Sequence, residues 1–353
     1  MGIDFTVRFT RTWLSAAIGF GFAAIVSSQA AAFDKMYSQD QILKDWPRLK
    51  KAVNGIYTKG FRPVFKADER ESFRGLEIRF PLPQKGDDLL NFYAMFDQGR
   101  PVVVMPVLSL KVMEDVTTAF AWLYEKNYDL SKIEVYFTMT RYRPPEKFSS
   151  GRIPSVLKAL GVPANALKNP SVDRLSLSLR NEAFAFILAH ELGHLHFRHK
   201  GYAKITKQQA RDDEIQSDKF ALDLFHRTAT PPLGPFLFFQ SQVYRMPHRA
   251  EYKTQAEWEK YLRTVSTHPL STERLQNLSD YALRLANRRA VSERAVWQQT
   301  ARMLGKFAKF LQDLPTQRCM VRVAREAPID ILRPERAIDS GVALRYCRGV
   351  FRQ

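Results

Sequence analysis

Cysteine and histidine are both scarce in this chain, at two and seven of 353 residues. No C-x-x-C, G-x-S-x-G or P-loop pattern occurs, so nothing of those kinds competes as a nucleophile or phosphate site. Internal repeats and low-complexity segments are absent, and Lys and Arg are spread without a dense run. Apart from one stretch near the start, no apolar run approaches the roughly 20 residues that span a bilayer. With 45% hydrophobic residues the chain can still bury a substantial core, as one large domain or two subdomains.

The exception near the start reads as a targeting segment. Arg8 and Arg11 precede an uncharged run from Trp13 to Val26, and "SSQAAA" follows with Ala30 and Ala32 in a small-x-small pattern. This is the layout of a secretory signal peptide over residues 1–32, cut after Ala32, with an uncleaved N-terminal anchor as the alternative. The remaining chain is then expected outside the cytoplasm, in the periplasm. In that oxidising compartment the two tail cysteines, Cys319 and Cys347, can pair and staple the tail, and two free buried thiols are the other reading. The formal charge is +18, and losing Arg8, Arg11 and Asp4 with the signal (18 − 2 + 1) leaves +17. Export argues against nucleic acid as the partner and toward an anionic envelope or membrane surface, with a general basic bias as the plainer explanation. Nothing in the sequence speaks to oligomeric state.

The pattern of elements predicts an α+β protein. A short helix over 38–57 carries Pro47 as a flaw in its pattern, and strands are expected at 73–80, 90–97 and 101–110, a helix at 112–126, and further strands at 133–139 and 173–179. The segment 141–170 reads as surface connection around a short helix at 154–160. From Asn181 onward the pattern is helical: 181–200, 206–227, 235–244, 253–264 and a long stretch over 271–314, with no clear period after that. This divides the chain into the signal, a mixed subdomain at 33–180, a helical subdomain at 181–314 and a tail at 315–353.

Four of the seven histidines fall within "FILAHELGHLHFRHKG" at 186–201. In H-E-L-G-H, His190 and His194 stand four apart, which on a helix puts both rings on one face within reach of one ion. Glu191 is rotated only about 100° from His190 and can reach a water on that ion. Chance alone produces H-E-x-x-H in roughly one chain per hundred of this size, so the motif needs support. Glu214 and Asp218, one turn apart on the next predicted helix, are candidates to provide it, although solvated helix charges are the plainer reading of each alone.

H-E-x-x-H followed after 20 residues by E-x-x-x-D resembles the gluzincin metallopeptidases, with thermolysin-like spacing. "HELGHLHFRH", together with His268, Pro269 and Arg274 in "STHPLSTERL", is similar to the HtpX-like and prenyl-protein-endopeptidase-like families, over about residues 181–280. The resemblance implies a zincin-like fold and one Zn²⁺ held by His190, His194 and Glu214. It also implies that Asp218 orients a ligand imidazole, and that His268 either assists the oxyanion or blocks the metal; a plain loop histidine is the alternative. The chain lacks the long insert between the second His and the Glu, and the helical repeats, that many exported members carry.

On a regular helix His196 lies about 200° from His194, and His199 about 180° from His190, so both are expected to pack, cap or complement the helix dipole. His226 and His248 have no partner pattern and read as structural or surface residues. Two neutral imidazoles and one carboxylate leave a Zn²⁺ site at net +1, a Lewis acid that lowers the pKa of bound water to about 7. Glu191 is the general base in that scheme. The expectation is an exported zinc metalloendopeptidase acting on protein or peptide substrates, with the strand expected at 173–179 either as an edge for substrate pairing or as an internal core strand. The alternative is a non-catalytic zinc-binding scaffold of the envelope, and hydrolysis of a non-peptide amide is a third option.

Overall fold

The computed structural model describes residues 36–335 apart from 85–88, 149–150, 202–204 and 265–269. The expected signal at 1–32, His268, Pro269 and Cys347 lie outside these described residues. Ser38 opens α1 (Gln39–Gly55) with a reciprocal cap: its hydroxyl accepts from Gln41 N at 3.2 Å, and the Gln41 side chain accepts from Ser38 N at 3.0 Å. After α2 (Ala67–Ser72) come three short strands, β1 (Glu77–Arg79), β2 (Tyr93–Asp97) and β3 (Arg100–Val104). Their order is β1-β3-β2, with β1 parallel to β3 and β2 antiparallel to it. Gln98 and Gly99 both have positive φ, which is the two-residue turn that matches strand twist in a hairpin.

The rest is helical: α3 (Val107–Glu125), α4 (Ser131–Tyr142), α5 (Val156–Ala159), α6 (Pro170–His196), α7 (Lys207–Arg227), α8 (Leu233–Arg245), α9 (Gln255–Thr264), α10 (Thr272–Ala286), α11 (Val291–Phe310) and α12 (Leu314–Glu326). The protein is therefore mostly helical with a small mixed sheet, which is compatible with α+β. Among the described residues no helix is long and apolar enough to cross a membrane.

Two expected strands are helices, for different reasons. Residues 133–139 sit in α4, which is buried on nearly every side. A segment with no solvent face shows no period, so a short apolar run there cannot distinguish helix from strand. Residues 173–179 alternate polar and apolar, yet they belong to α6, whose buried Val172, Ser176, Leu179 and Ala183 recur at helical spacing while Leu177 faces solvent. The decisive local signal is upstream: Asn169 caps the helix by accepting from Ser171 N at 2.9 Å, and Pro170 occupies the first helical position. The edge expected at 173–179 does not exist. The strand expected at 101–110 ends at Val104, and α3 begins after Pro106. The stretch 271–314 divides into α10 and α11, and the tail contains α12, capped by Asp313 and burying Cys319.

α6 is the central element, packed against α3, α7, α8 and β2 and continuous across residues 180 and 181. The approach of α8 to it is close: a Cβ on Gly234 would lie 2.2 Å from Ala183 N. Glu182, midway along α6, accepts from Leu233 N at 3.1 Å and Gly234 N at 3.0 Å and so caps α8 rather than its own helix. Burial nonetheless pushes its pKa up to about 7.

Candidate metal centre

His190 and His194 point from the buried face of α6, one turn apart, with their Nε2 atoms 3.1 Å from each other. Glu214 reaches them from α7 and is fully buried; its two carboxylate oxygens lie 3.5 Å from His190 Nε2 and 3.4 Å from His194 Nε2. Four-coordinate zinc with bonds of about 2.0–2.1 Å separates its ligand atoms by about 3.3–3.4 Å, the edge of a tetrahedron. The Nε2 atoms stand 3.1 Å apart, close to that edge, and each has a Glu214 oxygen at a similar distance, Oε1 at 3.4 Å from His194 and Oε2 at 3.5 Å from His190. The residues present fit a small divalent cation, and a His-His-Glu donor set is one that zinc takes.

The helix pair brings the donors together through one small residue. Gly193 faces Ser217 of α7, and a Cβ on it would stand 2.9 Å from Ser217 Cα. Glu214, Ser217, Asp218 and Ala221 form the buried face of α7 that this contact admits. Gly193→Ala must therefore push α7 off α6 and carry Glu214 away from the imidazoles. The expected cost is about 1–3 kcal/mol of stability, together with a smaller rise in melting temperature on adding zinc than the parent shows. Thermal denaturation with and without zinc reads both, and an undiminished zinc-induced rise would contradict the close-approach role.

The outer nitrogens of the two rings are also engaged. His190 Nδ1 is 2.8 Å from Asp218 Oδ1. Asp218 in turn accepts from Arg274 Nε at 2.7 Å and Arg274 Nη2 at 2.8 Å, while Arg274 Nη1 lies 2.5 Å from Glu214 Oε2. Arg274 comes from the first turn of α10, where Ser271 caps its backbone N–H, and its guanidinium covers the Phe239 ring. Burial works to raise the Asp218 pKa, but the Arg274 charge and the His190 contact overcome it and hold the carboxyl below its ordinary range. Burial works to lower the His190 pKa, and Asp218 and Glu214 more than offset it, raising the metal-free ring to about 10. A cation entering the site displaces that proton.

Glu191 is buried at 2% exposure, and its Oε2 has no hydrogen-bond partner among the described residues. It lines a cavity of about 30 Å³ with His190, Phe92, Phe238, Phe239 and Arg274, a space on the order of one or two waters. A buried carboxylate oxygen without a donor is costly and calls for a ligand or water there.

The region is matched by a known family. Residues 162–295 match the Peptidase U49 family model. Over these residues the chain is similar to a peptidase family, and the same segment holds the His190, His194 and Glu214 cluster. The matched segment holds His190, Glu191, His194, Glu214, Asp218 and Arg274, and it covers less than half of the chain. No curated protein and no solved structure matches the chain.

The histidines expected to lie off the metal face divide. His196 packs between Phe73 and Phe220 and bonds Ser72 Oγ through Nδ1 at 3.0 Å. His248 is fully buried beside Tyr142 and Phe310, and burial lowers its pKa to about 4. His199 departs from the expectation. α6 stops at His196 instead of continuing to Lys200, and Arg198 takes positive φ. Arg198 N donates to Leu195 O, and His199 N donates to His194 O at 3.0 Å, the paired bonds of a Schellman stop made here without glycine. The turn folds His199 back until its Nδ1 is 2.9 Å from His194 Nδ1. Helical angles drawn past the true end of α6 put this residue on the wrong side.

Proposed function

We propose that this protein is a zinc-dependent metalloendopeptidase of the gluzincin kind that acts on protein or peptide substrates outside the cytoplasm. The observation that carries the reading is the convergence of His190 Nε2, His194 Nε2 and the Glu214 carboxylate within 3.1 to 3.5 Å of one another, with a buried Glu191 oxygen that lacks a donor. The Peptidase U49 match over the same segment, the 20-residue interval to Glu214 and the resemblance to HtpX-like enzymes support it.

His190, His194 and Glu214 would hold the zinc, which would supply a Lewis acid for the scissile carbonyl and for lowering the pKa of water. Glu191 Oε2 accepts the proton of the attacking water and returns it to the departing amine nitrogen. Asp218 and Arg274 keep His190 and Glu214 in place. Phe92, Phe238 and Phe239 exclude bulk water from the Glu191 cavity. β2 pairs only with β3 among the described residues, and Tyr93, Met95 and Phe96 are exposed along it, so its open edge is where an extended peptide would add as a further strand. A scaffold that merely holds zinc has no use for a buried, unpartnered carboxylate oxygen next to the metal.

Export rests on residues 1–32, and His268 is assigned only by resemblance to the oxyanion or to a blocking ligand. The test is casein or peptide cleavage by the purified chain from residue 33. Cleavage is expected to disappear on dialysis against a zinc chelator and to return on adding zinc. Cleavage that survives complete metal removal would overturn the reading.

A further inference from the structure

We propose that His199 is a positioning residue that sets the tautomer of His194 for metal binding, an inference that rests on the zinc reading above. The geometry forms a directed chain of hydrogen bonds. At its far end, Asp213 Oδ1 lies 3.5 Å from His199 Nε2, and Gln216 Oε1 lies 3.0 Å from the same nitrogen. The Gln216 oxygen can only accept, so His199 Nε2 is the donor there, and the Asp213 carboxylate nearby favours a proton on the same nitrogen. In a neutral imidazole with Nε2 protonated, Nδ1 carries a lone pair. That Nδ1 faces His194 Nδ1 at 2.9 Å, so His194 donates from its Nδ1–H. The remaining lone pair of His194 is then on Nε2, the atom 3.4 Å from Glu214 and 3.1 Å from His190 Nε2. Among the described residues the Ser217 hydroxyl also approaches His199 Nδ1, at 3.4 Å; it is farther away and can donate to the same lone pair.

The fold holds this arrangement. The Schellman stop at Arg198 fixes the backbone of His199, and Phe197 stacks on its ring with centroids 5.7 Å apart. Gln216 and Asp213 lie on α7 beside Glu214, so the helix that brings the third ligand also orients the second. The two imidazoles are thus supported differently: His190 by a carboxylate tied to Arg274, and His194 by a neutral ring. Partners of this kind, acting on the outer nitrogen of a ligand histidine, change metal affinity by about 10–100-fold.

The test compares zinc affinity, by competition with a chelator, in the parent chain and in His199→Leu, His199→Asn and His199→Gln. The Asn carbonyl can occupy the place of Nδ1, whereas the Gln carbonyl reaches the place of Nε2 and leaves His194 without an acceptor. The expected result is about a 10–100-fold loss of affinity in the Leu and Gln variants and a much smaller loss in Asn. ¹⁵N chemical shifts of His194 in the zinc-free protein should show a single Nδ1–H tautomer in parent and Asn, and a mixture in Gln. The Asn and Gln comparison carries the test if the Leu variant does not fold. Zinc bound equally by the parent and by every folded variant would overturn the role of His199 and leave the metal site standing. A parent that binds no zinc would sink the site itself, and this inference with it.

Discussion

Replacing Glu191 with Gln is expected to lower kcat/KM for peptide cleavage by about 10²–10⁴-fold, the range over which positioned proton transfer contributes. Zinc content should not change. The two expectations belong together because Glu191 lies outside the donor set of His190, His194 and Glu214, while it lines a small cavity with His190 and its Oε2 has no hydrogen-bond partner among the described residues. The amide has nearly the same shape and stays buried, but it cannot hold the proton that must pass from water to the leaving amine. Steady-state kinetics on a peptide substrate, with elemental analysis of the same preparation, checks both. Equal activity in parent and variant would remove Glu191 as the base. Equal loss of activity and zinc would mean that it acts on the metal site and not on the proton.

The second large effect is expected at Arg274. This side chain is 3% exposed and lies between two carboxylates that are themselves buried, Asp218 and Glu214. Removing one partner from a buried charged set leaves the others uncompensated, at a cost of about 3–5 kcal/mol. Against total stabilities of about 5–15 kcal/mol, Arg274→Met should bring the protein close to unfolding. Arg274→Lys should recover only part of the loss, because an ammonium cannot reproduce the forked contact of Nε and Nη2 with the Asp218 carboxylate. Urea denaturation of the zinc-free proteins measures this without the metal contributing. A Met variant as stable as the parent would show that Asp218 and Glu214 do not depend on this charge.

The site was more legible in the sequence than the fold around it. His190, Glu191 and His194 lie within one helical turn and a half, where spacing alone determines direction. Glu214 and Asp218 could be placed because α7 was correctly bounded, and one correct helix puts both residues on the same face. Arg274 was marked only through resemblance, since nothing in its local pattern shows that it crosses to α7. His199 was misplaced because its position depends on where α6 stops, and the stop uses Arg198 in a conformation usually left to glycine. The fold errors have a similar origin. In α4 burial on all sides erased the period, and in the first turns of α6 a run of alternating Leu and Ser imitated a strand while Asn169 and Pro170 announced a helix. The role of Gly193 was invisible in the same way, because a glycine inside a helix declares its purpose only when the neighbouring backbone is known.

The most direct test of the central claim is the zinc content of the purified chain and of Glu214→Ala, measured by elemental analysis after gel filtration. About one zinc per chain is expected in the parent, and marked loss in the variant, because a structural or catalytic zinc site needs three protein ligands or more. A parent that emerges without zinc, or a variant that retains it in full, would contradict the account.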